Sequence, residues 1–209
     1  RQTMISVSWS LTRQDHGEQP FWAAIVLASM LGQIGLPGGG FGFGYSATNH
    51  IGGQFSIIPG AAFPQTQNKI DDFIPVARIS DLLLNPGGSF DFDGKEYKYP
   101  DIKLIYWAGG NPFHHHQDIN RLLQAWQKPE TIISNEWCWN SLAKYSDIIL
   151  PCTTPLERQD IMLTPRDPYV VSMSKLVEPF GLAKNDFDIF KGIAKKMGFE
   201  KIFTEGRDE

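Results

Sequence analysis

Cysteine is almost absent from this chain: Cys138 and Cys152 are the only two in 209 residues. They are not a Cys-x-x-Cys pair, and two cysteines alone make no zinc site. Both are expected to be reduced and buried near strand ends, and they leave the compartment open. Basic blocks are also missing. The formal net charge is −4, so nothing supports a nucleic-acid partner through phosphate neutralisation. Long hydrophobic runs are lacking too, and none approaches the ~20 residues that span a bilayer. The longest candidate, Phe21 to Leu31, is broken by Ser29 and followed by glycines. The chain opens with Arg1 and closes on Gly-Arg-Asp-Glu, which reads as an internal piece of a longer polypeptide. What is present is ordinary globular material, 42% hydrophobic and 20% charged, enough to bury a core.

Patterning is loose in the first third and clean afterwards. Ile5 to Trp9 alternates like a strand, with a loop expected over Ser10–Gln14. Pro20 to Leu31 reads as a helix, because Pro20 suits a first turn and Trp22, Ile25, Val26, Ser29 and Met30 mark one inward face. Residues 36–68 are rich in Gly and Pro around Gly38–Gly44, a stretch that propagates neither helix nor strand cheaply. Its aromatic residues (Phe41, Phe43, Tyr45, Phe55, Phe63) mark an ordered, packed loop rather than a linker. A helix is expected over Val76–Leu84, then a hairpin turning at Asp93-Gly94.

From Lys103 the pattern is β-α-β-α-β: strand Lys103–Trp107, helix Gln117–Gln127, strand Thr131–Ser134, helix Asn140–Tyr145, strand Ile148–Leu150. Continuous apolar strands separated by helices imply a parallel sheet buried on both faces. A last helix is expected over Asp186–Met197, with Phe187, Phe190, Ile193, Ala194 and Met197 on one face. The fold class is therefore α/β, a parallel sheet flanked by helices.

Three turns follow these parallel strands, so right-handed crossovers put them at one edge of the sheet, where open α/β sheets bind ligands. The first holds Gly109, Gly110 and Asn111: glycines that let backbone N–H groups approach a ligand, a carboxamide, and a helix start that favours an anion. The second holds Ser134, Asn135 and Glu136, a carboxylate suited to ribose hydroxyls or a purine edge. The third holds Thr153, Thr154, Glu157 and Arg158. Together they suit a phosphate-bearing nucleotide. Gly-Asn-Pro after a strand is also a common turn, and Glu136 also reads as an ordinary helix-start acid.

Other clusters weigh less. His114-His115-His116 point in different directions on a helix, so all three cannot chelate one ion; at most one touches a ligand. His16-Gly17-Glu18 lacks a neighbouring nucleophile. Gly38–Gly44 is neither a P-loop nor a G-x-G-x-x-G motif. Asp188 falls off the apolar face of its helix and is free for a polar contact.

Several long motifs carry a resemblance. They are Trp9-Ser10-Leu11-Thr12-Arg13 with Gly17-Glu18-Gln19, the run from Leu31 to Gly40, Gly109-Gly110-Asn111-Pro112-Phe113-His114-His115-His116-Gln117-Asp118, Asn135-Glu136-Trp137, and Ala143 to Arg158. With them the chain resembles the molybdopterin oxidoreductases of the dimethyl sulfoxide reductase family, in the subgroup reducing trimethylamine N-oxide, dimethyl sulfoxide and biotin sulfoxide. The resemblance implies a three-layer αβα, Rossmann-like fold within a larger multi-domain enzyme. Residues 1–75 would end one cofactor-binding α/β domain with its Gly-rich loop, and 76–209 would form part of a second, nucleotide-binding one. It implies a molybdenum ion held by bis(molybdopterin guanine dinucleotide), an S- or N-oxide substrate, and an electron donor protein such as a c-type cytochrome. The location implied is bacterial, and periplasmic ahead of cytoplasmic.

Residue by residue, the resemblance makes Asn111 and His115 contacts of one guanine dinucleotide, with Asn135 and Glu136 beside its ribose or base. It makes Arg158 a phosphate or ribose contact and Asp188 the acid that reads guanine. Trp9, Ser10 and Arg13 would lie at the molybdenum pocket: Ser10 as a cofactor contact, and Trp9 and Arg13 in the catalytic role. Arg13, always cationic, would polarise the oxide oxygen. The subgroup's metal ligand, a serine from an earlier segment, has no counterpart among these residues, and Tyr45 to Gly53 diverges from the family pattern. Two alternatives stand beside this reading: a nitrate reductase or formate dehydrogenase relative, and a non-catalytic nucleotide-binding module.

Overall fold

The computed structural model describes residues 1–44, 67, 70, 72–163 and 169–207. The chain divides into two compact units, Arg1–Thr66 with Ile161–Val171, and Gln67–Asp160 with Ser172–Glu209.

In the first unit, strand β1 (Met4–Val7) half-buries Ile5 and Val7 and leaves Met4 and Ser6 outward. Ser8 ends it by accepting the Ser10 N–H, which starts a short 3-10 turn over Trp9–Thr12 where a loop was expected. Helix α1 (Glu18–Met30) follows, and Gly32 ends it at a left-handed φ of 65°. Strand β2 (Gly40–Phe43) then pairs parallel with β1, Met4 opposite Gly40 and Val7 opposite Phe43.

That strand corrects the expectation that the glycine-rich stretch carries none. Gly40 and Gly42 are buried while Phe41 and Phe43 are more open, so the missing side chains let the backbone pack closely. A Cβ on neighbouring Gly39 would lie 2.7 Å from the Gln33 carbonyl oxygen. Phe43 packs edge-on against Trp9 at 5.8 Å and Phe21 at 5.6 Å. The inward face expected for α1 is also corrected. Trp22 is 61% and Met30 80% exposed, and Ile25 and Val26 are exposed too. Ala28 is the buried residue, with Phe21 and Ala24 half-buried, so the helix is covered through these residues rather than through Trp22, Ile25, Val26 and Met30. Tyr45, Phe55, Phe63 and the divergent stretch 45–53 lie outside the described residues.

The second unit opens with a 3-10 turn leading into α2 (Ile79–Leu84), then the antiparallel pair β3 (Ser89–Phe92) and β4 (Lys95–Lys98). Asp93 (φ 49°) and Gly94 (φ 72°) turn the hairpin with positive φ at both central positions, as the twist of the strands favours. Next come β5 (Leu104–Ala108), α3 (Pro112–His115), α4 (Ile119–Trp126), β6 (Thr131–Glu136), α5 (Ser141–Lys144) and β7 (Ile148–Pro151). The strands form one parallel sheet in the order β5-β6-β7. Strands β8 (Asp160–Leu163) and β9 (Val170–Met173) pair with each other, and their residues 161–163 and 170–171 count with the first unit; in the second, α6 (Asp186–Lys196) and α7 (Glu200–Thr204) follow.

The parallel sheet is flanked by helices. On one face Ile132, Ile105 and Trp107 pack with Leu83 of α2, Leu122, Ala125 and Trp126 of α4, and Leu142 of α5. On the other, Tyr106 meets Phe190 of α6 edge-on at 5.5 Å. Only β6 is largely buried: Leu104 in β5 is 53% and Ile148 in β7 46% exposed. Burial of all the strands on both faces is thus corrected to burial of the central one, because β5 and β7 have a strand neighbour on one side only in this sheet. In α6, Ala194 is buried and Phe187, Phe190 and Ile193 half-buried, but Met197 is 67% exposed just beyond its end. Both cysteines are free; Cys152 is half-buried after β7, whereas Cys138 is exposed, contrary to expectation.

Candidate functional site

The carboxyl ends of β5, β6 and β7 gather a polar cluster at one edge of the sheet. After β5, Gly109 and Gly110 both take left-handed φ (81° and 69°), which a side chain would strain. Asn111 follows, 8% exposed, and caps α3 by accepting the Phe113 N–H at 3.0 Å. Its amide also exchanges hydrogen bonds with the Ser141 hydroxyl at 3.0 and 3.3 Å. His115 lies in the last turn of α3, exposed, with its ring beside Gly110.

Strand β6 runs further than expected, so Asn135 and Glu136 are strand residues rather than turn residues. Neighbours along a strand face opposite sides, and the two differ accordingly. Asn135 accepts from the Tyr106 hydroxyl at 2.8 Å and donates to Asp186 at 2.7 Å. Glu136 turns toward α5, where Oε2 accepts from Asn140 Nδ2 at 2.7 Å. Among the described residues, its other oxygen, Oε1, is buried without a hydrogen-bond partner, as is the Ser134 hydroxyl. An unpartnered buried acceptor costs about 1–3 kcal/mol.

After β7, the Cys152 N–H donates to the Glu136 carbonyl at 3.1 Å. A parallel bridge between Cys152 and Lys184 brings the start of α6 alongside. Thr153 donates to Asn185 at 2.9 Å. Arg158 donates to the Thr153 carbonyl and to Asp160, each at 2.8 Å. Two of its five N–H donors are thereby engaged. Glu157 accepts the Thr154 N–H and hydroxyl and the Phe180 N–H, which hold its carboxyl below the ordinary range.

Electrostatics follow from burial. Burial pushes the Glu136 carboxyl up from its ordinary value, with the Asn140 bond opposing. The Cys152 thiol is pushed up to about 11 by burial and then by the charges of Asp186 and Glu136. It stays a thiol at neutral pH, which suits neither a nucleophile nor a metal ligand. Burial also raises the Tyr106 hydroxyl and lowers His116, whose ring meets Trp107 edge-on at 6.0 Å.

Asn111, Asn135, Glu136 and Arg158 are therefore brought to one edge of the sheet, linked through Ser141, Asn140, Cys152 and Thr153. Asp188 stands exposed in the first turn of α6, two residues after the Asp186 that joins the network. Trp9, Ser10 and Arg13 belong to the first unit, on or just after its 3-10 turn, and all three are exposed. Sequence reasoning missed Tyr106, Asn140, Ser141 and Asp186. Asn140 and Asp186 had a readable signal, since each stands at a helix start among polar residues; Tyr106 and Ser141 had none. Among the described residues no group of three or more His, Cys, Asp or Glu is arranged to hold a metal ion.

Among the described residues the edge combines the backbone N–H groups of Gly109 and Gly110, a buried carboxylate with an oxygen lacking a partner, and a guanidinium with donors beyond the two engaged. That donor and acceptor set fits a nucleotide: an acceptor for sugar or base, and donors for phosphate. The model of the family described as "Molybdopterin oxidoreductase" matches residues 1–196. Over 207 residues the chain is 51% identical to a biotin sulfoxide reductase of Cereibacter sphaeroides, covering 99% of this chain and 28% of that protein. It is 46% identical to a dimethyl sulfoxide/trimethylamine N-oxide reductase of the same organism, covering 99% and 27% respectively. It is 47% identical to a trimethylamine-N-oxide reductase of Haemophilus influenzae, covering 100% and 27%. The chain thus spans little more than a quarter of the length of these relatives.

Proposed function

The chain belongs to the molybdopterin oxidoreductase family, and from that premise we propose that it is the nucleotide-binding part of a molybdenum-dependent enzyme reducing S- or N-oxides. The relatives named above are reductases of biotin sulfoxide, dimethyl sulfoxide and trimethylamine N-oxide. The observation that carries the reading is the convergence of Asn111, Glu136 and Arg158 at one edge of a parallel sheet, with a buried Glu136 oxygen lacking a partner.

The family implies a molybdenum–molybdopterin cofactor, and we take its form to be the bis(guanine dinucleotide). In this reading the Gly109 and Gly110 N–H groups and the remaining Arg158 donors hold phosphate. Glu136 Oε1 accepts from the ribose or base once the groups covering it give way. Asp188, exposed at the start of α6, reads the guanine edge, and His115 contacts the same dinucleotide. Bound molybdenum supplies the two-electron chemistry that takes an oxygen atom from the oxide. Trp9, Ser10 and Arg13 line the substrate side, where the permanent charge of Arg13 polarises the oxide oxygen. The first unit then closes one cofactor-binding domain, and the second is a Rossmann-like αβα domain. An electron donor such as a c-type cytochrome restores the reduced state, in the bacterial periplasm.

The test uses the full-length protein made in a host that synthesises the cofactor. Molybdenum and acid-released GMP should accompany the protein, with reduction of trimethylamine N-oxide, dimethyl sulfoxide or biotin sulfoxide by a reduced viologen dye. Arg13→Ala should lose turnover and keep molybdenum; Arg158→Ala should lose both. A protein free of molybdenum and GMP, or an Arg158→Ala variant with full content, overturns the reading.

A further inference from the structure

We propose that Asn140 and Ser141, at the start of α5, are positioning residues that hold Glu136 and Asn111 in the geometry the guanine nucleotide requires. The inference rests on the nucleotide-binding reading above and extends it to two residues that contact no ligand in that reading. Asn140 does two things at once. Its Oδ1 caps α5 by accepting the Ala143 N–H at 3.0 Å, while its Nδ2 donates to Glu136 Oε2 at 2.7 Å. The cap fixes the side chain, and the fixed side chain fixes one oxygen of Glu136, leaving Oε1 as the acceptor still to be used. The next residue, Ser141, exchanges hydrogen bonds with the Asn111 amide. A four-residue helix thereby ties the turn after β5 to the end of β6. The sheet ladder and the Tyr106–Asn135 bond already set the two strand ends side by side; what this dipeptide adds is the orientation of the Asn111 and Glu136 side chains.

Glu136 has few titratable neighbours at this end of the sheet. Tyr106 in β5 and Cys152 after β7 are neutral through the physiological range, since both are raised and Cys152 stands at about 11. Asp186 at the start of α6 and Arg158 beyond β7 supply the remaining charges, both acting on Cys152. No titratable group of α5 touches the Glu136 carboxyl, because its α5-side partner is the neutral Asn140 amide. A carboxylate introduced at position 140 would be the nearest new charge.

Cofactor-free full-length protein is titrated with guanosine 5′-diphosphate as the probe, alongside thermal melting. Asn140→Ser keeps a good cap but cannot reach Glu136. It should weaken binding about tenfold, the usual order for a lost bond to a charged group, with little change in melting temperature. Asn140→Asp keeps the cap and sets two carboxylates together, which must share a proton. Its binding should be weakest at about pH 7.5 and recover toward about pH 5.5, where a shared proton restores the bond. Wild type should show no such recovery, because its Asn140 amide bonds Glu136 without needing a proton. Ser141→Ala should weaken binding less than Asn140→Ser. If Glu136→Ala binds the probe like wild type, the nucleotide reading of the site fails. If Glu136→Ala loses binding while Asn140→Ser matches wild type and Asn140→Asp follows the wild-type pH trend, the positioning role fails and the nucleotide reading survives. Should Asn140→Asp not fold, Asn140→Ser decides alone.

Discussion

Helices α1 and α4 look alike on paper and differ in the folded chain. Both begin with turn chemistry and are rich in large apolar residues. In α4, eight residues long, Leu122, Ala125 and Trp126 are at most 2% exposed, packed with α2 and the sheet. In α1, thirteen residues long, Trp22, Ile25, Val26, Leu27 and Met30 are all exposed and Ala28 alone is buried. The apolar stripe of α4 has its partner within its own unit. The apolar residues of α1 spread around the helix, the pattern of a helix meant to be covered on most sides. Periodicity reveals how much of a helix seeks cover, and it is silent on whether that cover lies in the same stretch of chain.

The contrast is broken most severely in the second unit. Trp126→Ala should destabilise it by about 3–5 kcal/mol, the cost of emptying an aromatic core site, read from the urea midpoint. Trp126 also donates to the Tyr145 carbonyl at 3.1 Å, so the change orphans an acceptor as well. A loss no larger than that of an exposed site would mean that α4 is not the centre of this core.

A smaller effect separates the burial of α4 from its starting signal. Asp118 sits at a φ of 43° and accepts the Arg121 N–H at 3.1 Å. Asp118→Ala loses the cap and puts a Cβ residue without a local hydrogen bond into left-handed backbone, for about 1–2 kcal/mol. Asp118→Asn keeps both features and should cost little by the same denaturation. Equal losses in the two variants would show that the side-chain cap is not what matters there.

Legibility in the sequence follows the same line. The Asp93-Gly94 hairpin and the strand–helix alternation from Lys103 onward were readable because each depends on residues close in sequence, and the polar edge at Asn111, Glu136 and Arg158 was readable because parallel strands in such an alternation bring their following turns to one edge. Strand β2 was not. Its partner β1 lies more than thirty residues earlier, and a Gly-Phe-Gly-Phe run becomes a strand only when that partner is beside it. Glu136 was found but misplaced, since β6 extends two residues further by pairing with Ala108 and Pro151. Cys138 was expected inside and lies outside, one residue past an exposed Trp137. The joint role of Asn140 was invisible, because the cap signal reads locally while its bond to Glu136 exists only in three dimensions.

The site and the core behind it should also respond differently to pH. Glu136 is raised by burial above its ordinary 4.5, so the folded, cofactor-free state binds its proton more tightly than the unfolded chain. The stability gained is complete below about pH 4.5 and is lost as pH rises through the folded-state value. Glu136→Gln cannot ionise, so its urea midpoint should fall less than that of wild type across this window. Parallel profiles for the two proteins would mean that the carboxyl is not held in a burying environment.

The smallest effect is the sharpest test of the comparison. Trp22 is 61% exposed, so Trp22→Ala in this chain should change stability by no more than about 0.5 kcal/mol, as exposed sites do. The relatives are between three and four times as long as the chain, which spans 27–28% of them. In a protein of the relatives' length, further segments would have an uncovered indole to pack on, and the same substitution should then cost about 3 kcal/mol, the price of a core aromatic. Equal costs in the two settings would place the uncovered face of α1 at a true surface, and the difference from α4 would then be one of composition rather than of a missing partner.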